Sequence, residues 1–317
     1  AKLAAKGIAF LPYHQAGYPE KLRTLADPPA ALFVKGRMPS PSQPAVAVIG
    51  ARKCSGYGSA MAKQLGRELA RCGVQVISGM ARGVDGIGQR AVCEAGGVTY
   101  AVLGSGVDVV YPPENRPLYE MILETGGVIS EYLPGASPLS RQFPSRNRII
   151  SGLADAVVVV EAREKSGTMI TVDMALEQGR EVYALPGRLV DPLSVGCNHL
   201  IRQGATPIVD IAEFCEEFLA AAAQRLAGRG SEGAGATAAV KKKRKPARAA
   251  PLPKKRGFSA EEEEVLAALD YTPCPLERIA SACPRVPYDR LLKILVTFCL
   301  KGHARQMGAG NYCLVDE

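Results

Sequence analysis

Residues 45–58 read AVAVIGARKCSGYG. Ala45–Ile49 is a short apolar run stopped by Gly50, the pattern of a strand covered on both faces. Beyond the loop, Met61, Leu65 and Leu69 recur at helical spacing. A buried strand that passes through a glycine turn into a helix is the repeating unit of a parallel sheet covered by helices. The unit recurs along the chain, with strands expected at 45–49, 74–78, 98–103, 127–130, 156–161 and 181–185, and a short one at 206–209. Met169, Met174 and Leu176 mark a later helix. The reading is an α/β fold, a Rossmann-like doubly wound and mostly parallel sheet, followed by a small winged-helix domain. Ligands of such sheets collect beyond the carboxyl ends of the strands, so the loops there carry most weight.

The first such loop, GARKCSGYG, lacks the G-x-G-x-x-G fingerprint, because Arg52 stands where the second glycine would let a pyrophosphate rest on bare backbone. Gly50 and Ala51 instead bring backbone close, Arg52 adds a fixed cation, and Ser55 can donate at a helix start, which together favour a phosphate contact. The second loop, SGMARGVD at 78–85, offers Arg82 and Gly83, with Asp85 as a helix cap. In LGSGVDVVYPPEN, Asp108 can orient an arginine or seat a ligand. The loop EAREKSGTM at 161–169 presents Lys165, Ser166, Gly167 and Thr168 at another helix start. Finally FPSRNRII, residues 143–150, sets Asn147 between Arg146 and Arg148, with Phe143 and Arg141 just before. Guanidinium forks suit phosphate oxygens, and an amide can read a base edge. One arginine is expected to face the bound strand while the other pairs with Glu131 or Glu161 to hold the loop. A shared groove for a phosphate backbone is the economical account of all these loops.

The chain has 317 residues and a formal charge of +8. Lys241–Arg256 holds nine Lys and Arg and no acid, which leaves 39 − 9 = 30 bases against 31 acids elsewhere. A nucleic-acid site on the folded parts must then be a local cleft. Nine cysteines without a C-x-x-C pair, and three histidines without ligand spacing, point to a reducing compartment and to no metal. No apolar run approaches the ~20 residues that span a bilayer, so no membrane contact is expected, and the start of the chain lacks both Met and a signal-peptide pattern. No base, activated nucleophile or acidic metal cage is evident, which argues for a binding protein without cofactor rather than an enzyme.

Four segments are expected: 1–44, a proline-containing extension packed on the core; 45–226, the Rossmann-like DNA-binding domain; 227–257, a basic disordered linker; and 258–317, the winged helix. Ser259 and Glu262 form a capping box, Pro275 opens a second helix, 287–300 forms a third, and a hairpin turns at Gly308–Gly310. This last piece has six bases against nine acids, which favours protein contact over duplex DNA. Ile211, Phe214, Phe218 and Leu219 are either core or part of a dimer or partner contact.

The series VIGARKCSGYG, SGMARGVD, AVLGSGVDVVYP, SEYLPGASP, FPSRNRIISGLADAVVVVEAREKSGTMIT, GREVYALPG and GCNHLIRQGA, from about residue 8 to 210, resembles the DprA/Smf family of DNA-processing proteins. The resemblance implies a cytoplasmic homodimer that binds single-stranded DNA, protects incoming DNA and loads the RecA recombinase during natural transformation. It places the DNA pocket at Gly50, Ala51 and Arg52, with Arg82 and Gly83 beside it, and matches Arg146–Arg148 to an RNR motif. Phe143 and Tyr57 are the stacking candidates, with core burial as the alternative for both. Two departures stand out. Gln89 occupies a position where many members carry histidine, and the small helical domain of SAM type that often comes first is not in this sequence. The rival reading, a phosphoribohydrolase-like enzyme on nucleotides, would need a PGG before Ser166–Thr168, and none is there.

Overall fold

The structure, a computed structural model, describes residues 3–228, 259–269, 274–306 and 310–314. The chain divides into two compact units, Ala1–Ala227 and Gly228–Glu317. The basic stretch Lys241–Arg256 lies outside the described residues, as does most of the turn expected at Gly308–Gly310.

In the first unit the elements run β1 (Ile8–Pro12), α1 (Glu20–Arg23), β2 (Ala31–Gly36), β3 (Ala45–Ile49), α2 (Gly56–Arg71), β4 (Gln75–Ser78), α3 (Val84–Glu94), β5 (Thr99–Val102), α4 (Arg116–Thr125) and β6 (Gly127–Ser130). Then follow α5 (Gln142–Leu153), β7 (Ala156–Val159), α6 (Gly167–Glu177), β8 (Glu181–Ala184), α7 (Val195–Arg202), β9 (Thr206–Pro207) and α8 (Ile211–Gly228). The strands make one sheet in the order β1-β2-β6-β5-β4-β3-β7-β8-β9, parallel from β6 to β9. Chain order runs outward one way from β3 to β6 and the other way from β7 to β9. The reversal between β3 and β7 is the switch point at which open α/β sheets form a crevice.

The apolar strands alternate between two helical layers, as a period of two requires. Ala47 and Ile49 pack with Ile149, Ile150, Leu153 and Val172 from α5 and α6. Val46 and Val48 pack with Leu65, Leu69, Phe214 and Phe218 from α2 and α8. Ile211, Phe214 and Phe218 are thus core residues, which decides between the two roles open to them. Leu176, expected on the buried face of its helix, is 57% exposed, and Thr171, Val172 and Ala175 are buried instead. The lead-in before residue 45 is more than a cover. Its strands β1 and β2 pair antiparallel, and β2 pairs antiparallel with β6, so the segment extends the sheet by two strands.

The second unit holds α9 (Ala260–Ala268), β10 (Cys274–Pro275), α10 (Leu276–Ala282), α11 (Tyr288–Leu300), β11 (Ala304–Gln306) and β12 (Asn311–Leu314), with sheet order β10-β12-β11. This is the element order of a winged helix. Ser259 Oγ accepts from the Glu262 amide at 3.3 Å while the Glu262 carboxylate accepts from the Ser259 amide at 2.8 Å, the reciprocal capping box. Val265, Ile279, Leu291, Ile294, Leu295 and Phe298 close its core.

Candidate nucleic-acid interface at the switch point

The loop after β3 is fixed by its neighbours. A Cβ on Gly50 would stand 2.7 Å from Val84 Cγ2 and 3.0 Å from the Glu161 carbonyl, so only glycine fits this crossing. Gly83 (φ 71°) lets the second loop lie on the first, where a Cβ would meet the Ala51 carbonyl at 2.2 Å. The Val84 amide donates to that same carbonyl at 3.2 Å. Glu161, at the end of β7, completes the frame. Its carbonyl accepts from the Ala51 amide at 2.8 Å, and its buried carboxylate accepts from both the amide and the hydroxyl of Ser55. Ser55 Oγ also accepts from the Gly58 amide at 3.1 Å as the cap of α2. The Ser55 hydroxyl therefore donates to Glu161 and organises the loop, whereas Arg52 and Lys53 project into solvent. Glu161 holds a serine and not the arginine expected of it.

FPSRNRII was expected as a loop; it lies inside α5, with Pro144 in the first turn, where its missing N–H costs no hydrogen bond. At 100° per residue the helix sends its polar side chains in different directions. Phe143, Asn147 and Ile150 share the face that lines a cavity of about 540 Å³. Arg146 turns inward and is 4% exposed. Its Nη1 donates to the Gly79 carbonyl at 3.1 Å and to the Val102 carbonyl, tying the ends of β4 and β5 together beneath the cavity floor. Burial lowers Arg146 to about 10, opposed by Asp85. Asp85 is pushed up by burial and pulled back by Arg146, and it accepts from the Gly79 amide at 3.2 Å. Asp85 thus lies in the first turn of α3 and braces Arg146; it is not the cap of that helix, a position held by Gly83. Arg148 points elsewhere. It makes a bidentate pair with Glu131 at 2.7 and 2.8 Å and contacts Asp27 at 3.1 Å, away from the cavity lining.

Ser166, Gly167 and Thr168 line the opposite wall at the start of α6, whose leading amides have no intrahelical acceptor. Together with Gly50, Ala51, Arg52, Phe143, Arg146 and Asn147 they face one space. Arg82 flanks a small adjoining crevice with Tyr111, Arg52 and Phe143. Ser55 and Gly83 support the loops from behind, and Arg141 and Lys165 are exposed outside the lining. Lys53 and Arg163 line the cavity but were not singled out, although both sit in the loops that were. Tyr111 was missed as well. Its ring lies 5.4 Å from that of Phe143 at 33°, and Arg52 lies over the same Phe143 ring at 5.5 Å. Tyr57 is absent from the lining and donates to the Pro186 carbonyl at 2.9 Å, so of the two stacking candidates Phe143 is the one at the cavity. Asp108 accepts from Lys6 and from the Gly135 amide, and so orients a lysine and a turn.

A family model described as "DNA recombination-mediator protein A" matches residues 9–219, a span that contains every loop of the cavity. The chain belongs to this family. It is 42% identical over 201 residues to the DNA processing protein DprA of Streptococcus pneumoniae, covering 63% of this chain and 71% of that one. The X-ray structure of DprA from the same organism superposes with a TM-score of 0.64 at 39% identity, over 68% of this chain and 76% of that one. A Helicobacter pylori DprA structure described for its single-stranded DNA binding mode gives a TM-score of 0.61 at 30% identity, over 68% and 96% of the two chains. In this family member Gln89 has a clear task. Its Oε1 accepts from the Met80 amide and its Nε2 donates to Thr99 Oγ1 and the Tyr100 carbonyl, all at 3.0 Å, which holds Met80 at φ 51° in the second loop.

Proposed function

We propose that the protein is a cytoplasmic single-stranded DNA-binding recombination mediator, a binder and not an enzyme, that protects incoming DNA and hands it to a RecA-type recombinase during natural transformation. The observation that carries this reading is the cavity at the β3/β7 switch point. It combines rim cations from Arg52, Lys53 and Arg163, an aromatic face from Phe143, an amide from Asn147 and the open start of α6. Cations for the backbone and a ring for the bases are what sequence-tolerant binding of a single strand uses. The carboxylates just past β6 and β7 have structural partners: Glu131 holds Arg148 and Glu161 holds Ser55. The DNA-contacting set comprises Gly50, Ala51, Arg52, Phe143, Asn147, Ser166, Gly167 and Thr168, with Arg82 beside it and Arg146 as the floor. Assembly as a homodimer and contact with the recombinase belong to the same proposal and are supported by membership of a recombination-mediator family.

The test is a fluorescence-anisotropy titration of labelled oligo(dT) against duplex DNA with the wild type, Arg52→Ala and Phe143→Ala. Arg52→Ala should flatten the salt dependence by about 0.7 in the logarithmic slope, the share of one single-strand phosphate. Phe143→Ala should cost ~1–3 kcal/mol with the slope preserved, the value of one stacked base. Wild-type affinity in both variants would overturn the assignment of the cavity. Release of free base from a nucleoside monophosphate would favour an enzyme instead.

A further inference from the structure

Arg82 is an exposed cation beside the cavity whose charge is already matched. It stands in the loop after β4, half-exposed, and its Nε donates to the half-exposed carboxylate of Glu114. Tyr111 lines the same small crevice as Arg82 and its ring lies 5.4 Å from that of Phe143, so the series Glu114, Arg82, Tyr111 and Phe143 leads toward the cavity. Glu114 is not a loose surface acid. It lies in a 3-10 turn, Pro113–Asn115, whose Asn115 side chain donates to the Met80 and Ala81 carbonyls at 2.9 and 3.3 Å. Those carbonyls belong to the loop that carries Arg82, so the acid and the arginine are built on one rigid piece.

We propose that Arg82 and Tyr111 form a second nucleotide subsite next to the cavity, with Glu114 as the acid that a DNA phosphate must displace from Arg82. This rests on the single-strand reading of the cavity. The crevice beside the cavity is shared by Arg52, Arg82, Tyr111 and Phe143, so a strand whose base stacks at Phe143 has its next phosphate and base beside Arg82 and Tyr111. An exposed ion pair contributes little by itself, because water and salt screen it. A phosphodiester held in place by the neighbouring cavity can therefore take over the arginine. Glu114 is itself held below the ordinary carboxylate range by Arg82 and stays charged at neutral pH. An anion that meets Arg82 without anchorage in the cavity has to compete with that fixed carboxylate. Glu114 thereby biases the groove toward chains of at least two nucleotides and against isolated phosphates.

The test uses the full chain and fluorescein-labelled oligo(dT), with Glu114→Gln, Arg82→Gln and the double variant. Glu114→Gln should tighten oligo(dT) binding about two- to fivefold at low salt, the range set by an exposed ion pair. The salt slope should change little, because Arg82 neutralises the same phosphate in both proteins. In the Arg82→Gln background the gain from Glu114→Gln should vanish. A gain that persists there would mean a general loss of negative charge and would overturn the subsite, as would equal binding by Glu114→Gln and the wild type. Inorganic phosphate should compete for oligo(dT) more effectively in Glu114→Gln than in the wild type, and equal competition counts against the bias toward chains. A wild type that fails to bind oligo(dT) at all would remove the single-strand reading and this subsite together, an outcome distinct from the others.

Discussion

Arg146→Met separates a phosphate contact from a buried brace. In the structure the guanidinium serves two carbonyls, Gly79 and Val102, and faces the buried carboxylate of Asp85. Methionine keeps much of the volume but leaves that carboxylate without its countercharge. Leaving a buried polar group without its partner costs ~1–3 kcal/mol, and more where the group is charged, so baring two carbonyls and the nearby Asp85 carboxyl sums to several kcal/mol. Against a typical domain stability of ~5–15 kcal/mol such a loss moves a urea midpoint visibly. A solvent-facing arginine would change stability by less than about 0.5 kcal/mol. The pH dependence has a definite sign. Burial raises the folded-state pKa of Asp85 above its unfolded value, so the folded state holds the proton more tightly and loses stability as pH rises through that window. Without Arg146 to oppose burial, the window widens upward, and the deficit of Arg146→Met should be larger at pH 8 than at pH 5. The chain has no Trp, so far-UV circular dichroism is the natural probe. Adding Asp85→Asn should recover part of the loss, because it removes the stranded charge. An Arg146→Met curve that overlays the wild type at both pH values would refute the brace.

Two further outcomes test the frame around the site. Phe218, 2% exposed and stacked on Phe214 at 5.9 Å, should cost ~3–5 kcal/mol as Phe218→Ala in urea denaturation with no change in sedimentation; a changed oligomeric state at unchanged stability would make α8 a docking surface instead. Ser259→Ala should cost the second unit ~0.5–2 kcal/mol, read as faster amide exchange across α9, and unaltered exchange would remove the capping box from the account.

The sheet was legible because its central strands are buried on both faces and are therefore apolar without interruption, as in Ala45–Ile49 and Ala156–Val159. The site loops were legible for a related reason: each starts where such a run stops. What the sequence could not show was the phase of α5. Arg146 and Arg148 are two residues apart, roughly 200° on a helix, so one enters the sheet and the other leaves for Glu131. Read as a loop, the same residues give no sign of which arginine turns which way. The partners that decide the matter, Asp85, Gly79 and Glu131, come from distant parts of the chain and give no local pattern. The strands β1 and β2 were hidden likewise, because β2 pairs with β6, whose place at its side only the finished sheet provides.

The two arginines of the RNR stretch thus hold the groove in shape, while the residue between them faces it. That division follows from electrostatics. Arg148 is paired with Glu131 and Arg146 is buried with its Nη1 on two carbonyls, so neither is free to draw in a polyanion. The field at the mouth of the cavity must come from Arg52, Lys53 and Arg163, whose side chains stand on the loops after β3 and β7. This matches the charge of the chain, which is nearly balanced once Lys241–Arg256 is set aside. A protein with a broad basic face would attract any nucleic acid, duplex included. Three placed cations over one narrow aromatic-walled cavity instead favour a strand whose bases are free to enter, because a duplex keeps its bases stacked away from Phe143. Under the proposed single-strand function, the preference would follow from where the cations stand on the sheet's switch point, with Arg146 and Arg148 keeping Phe143 and Asn147 on the open face of α5.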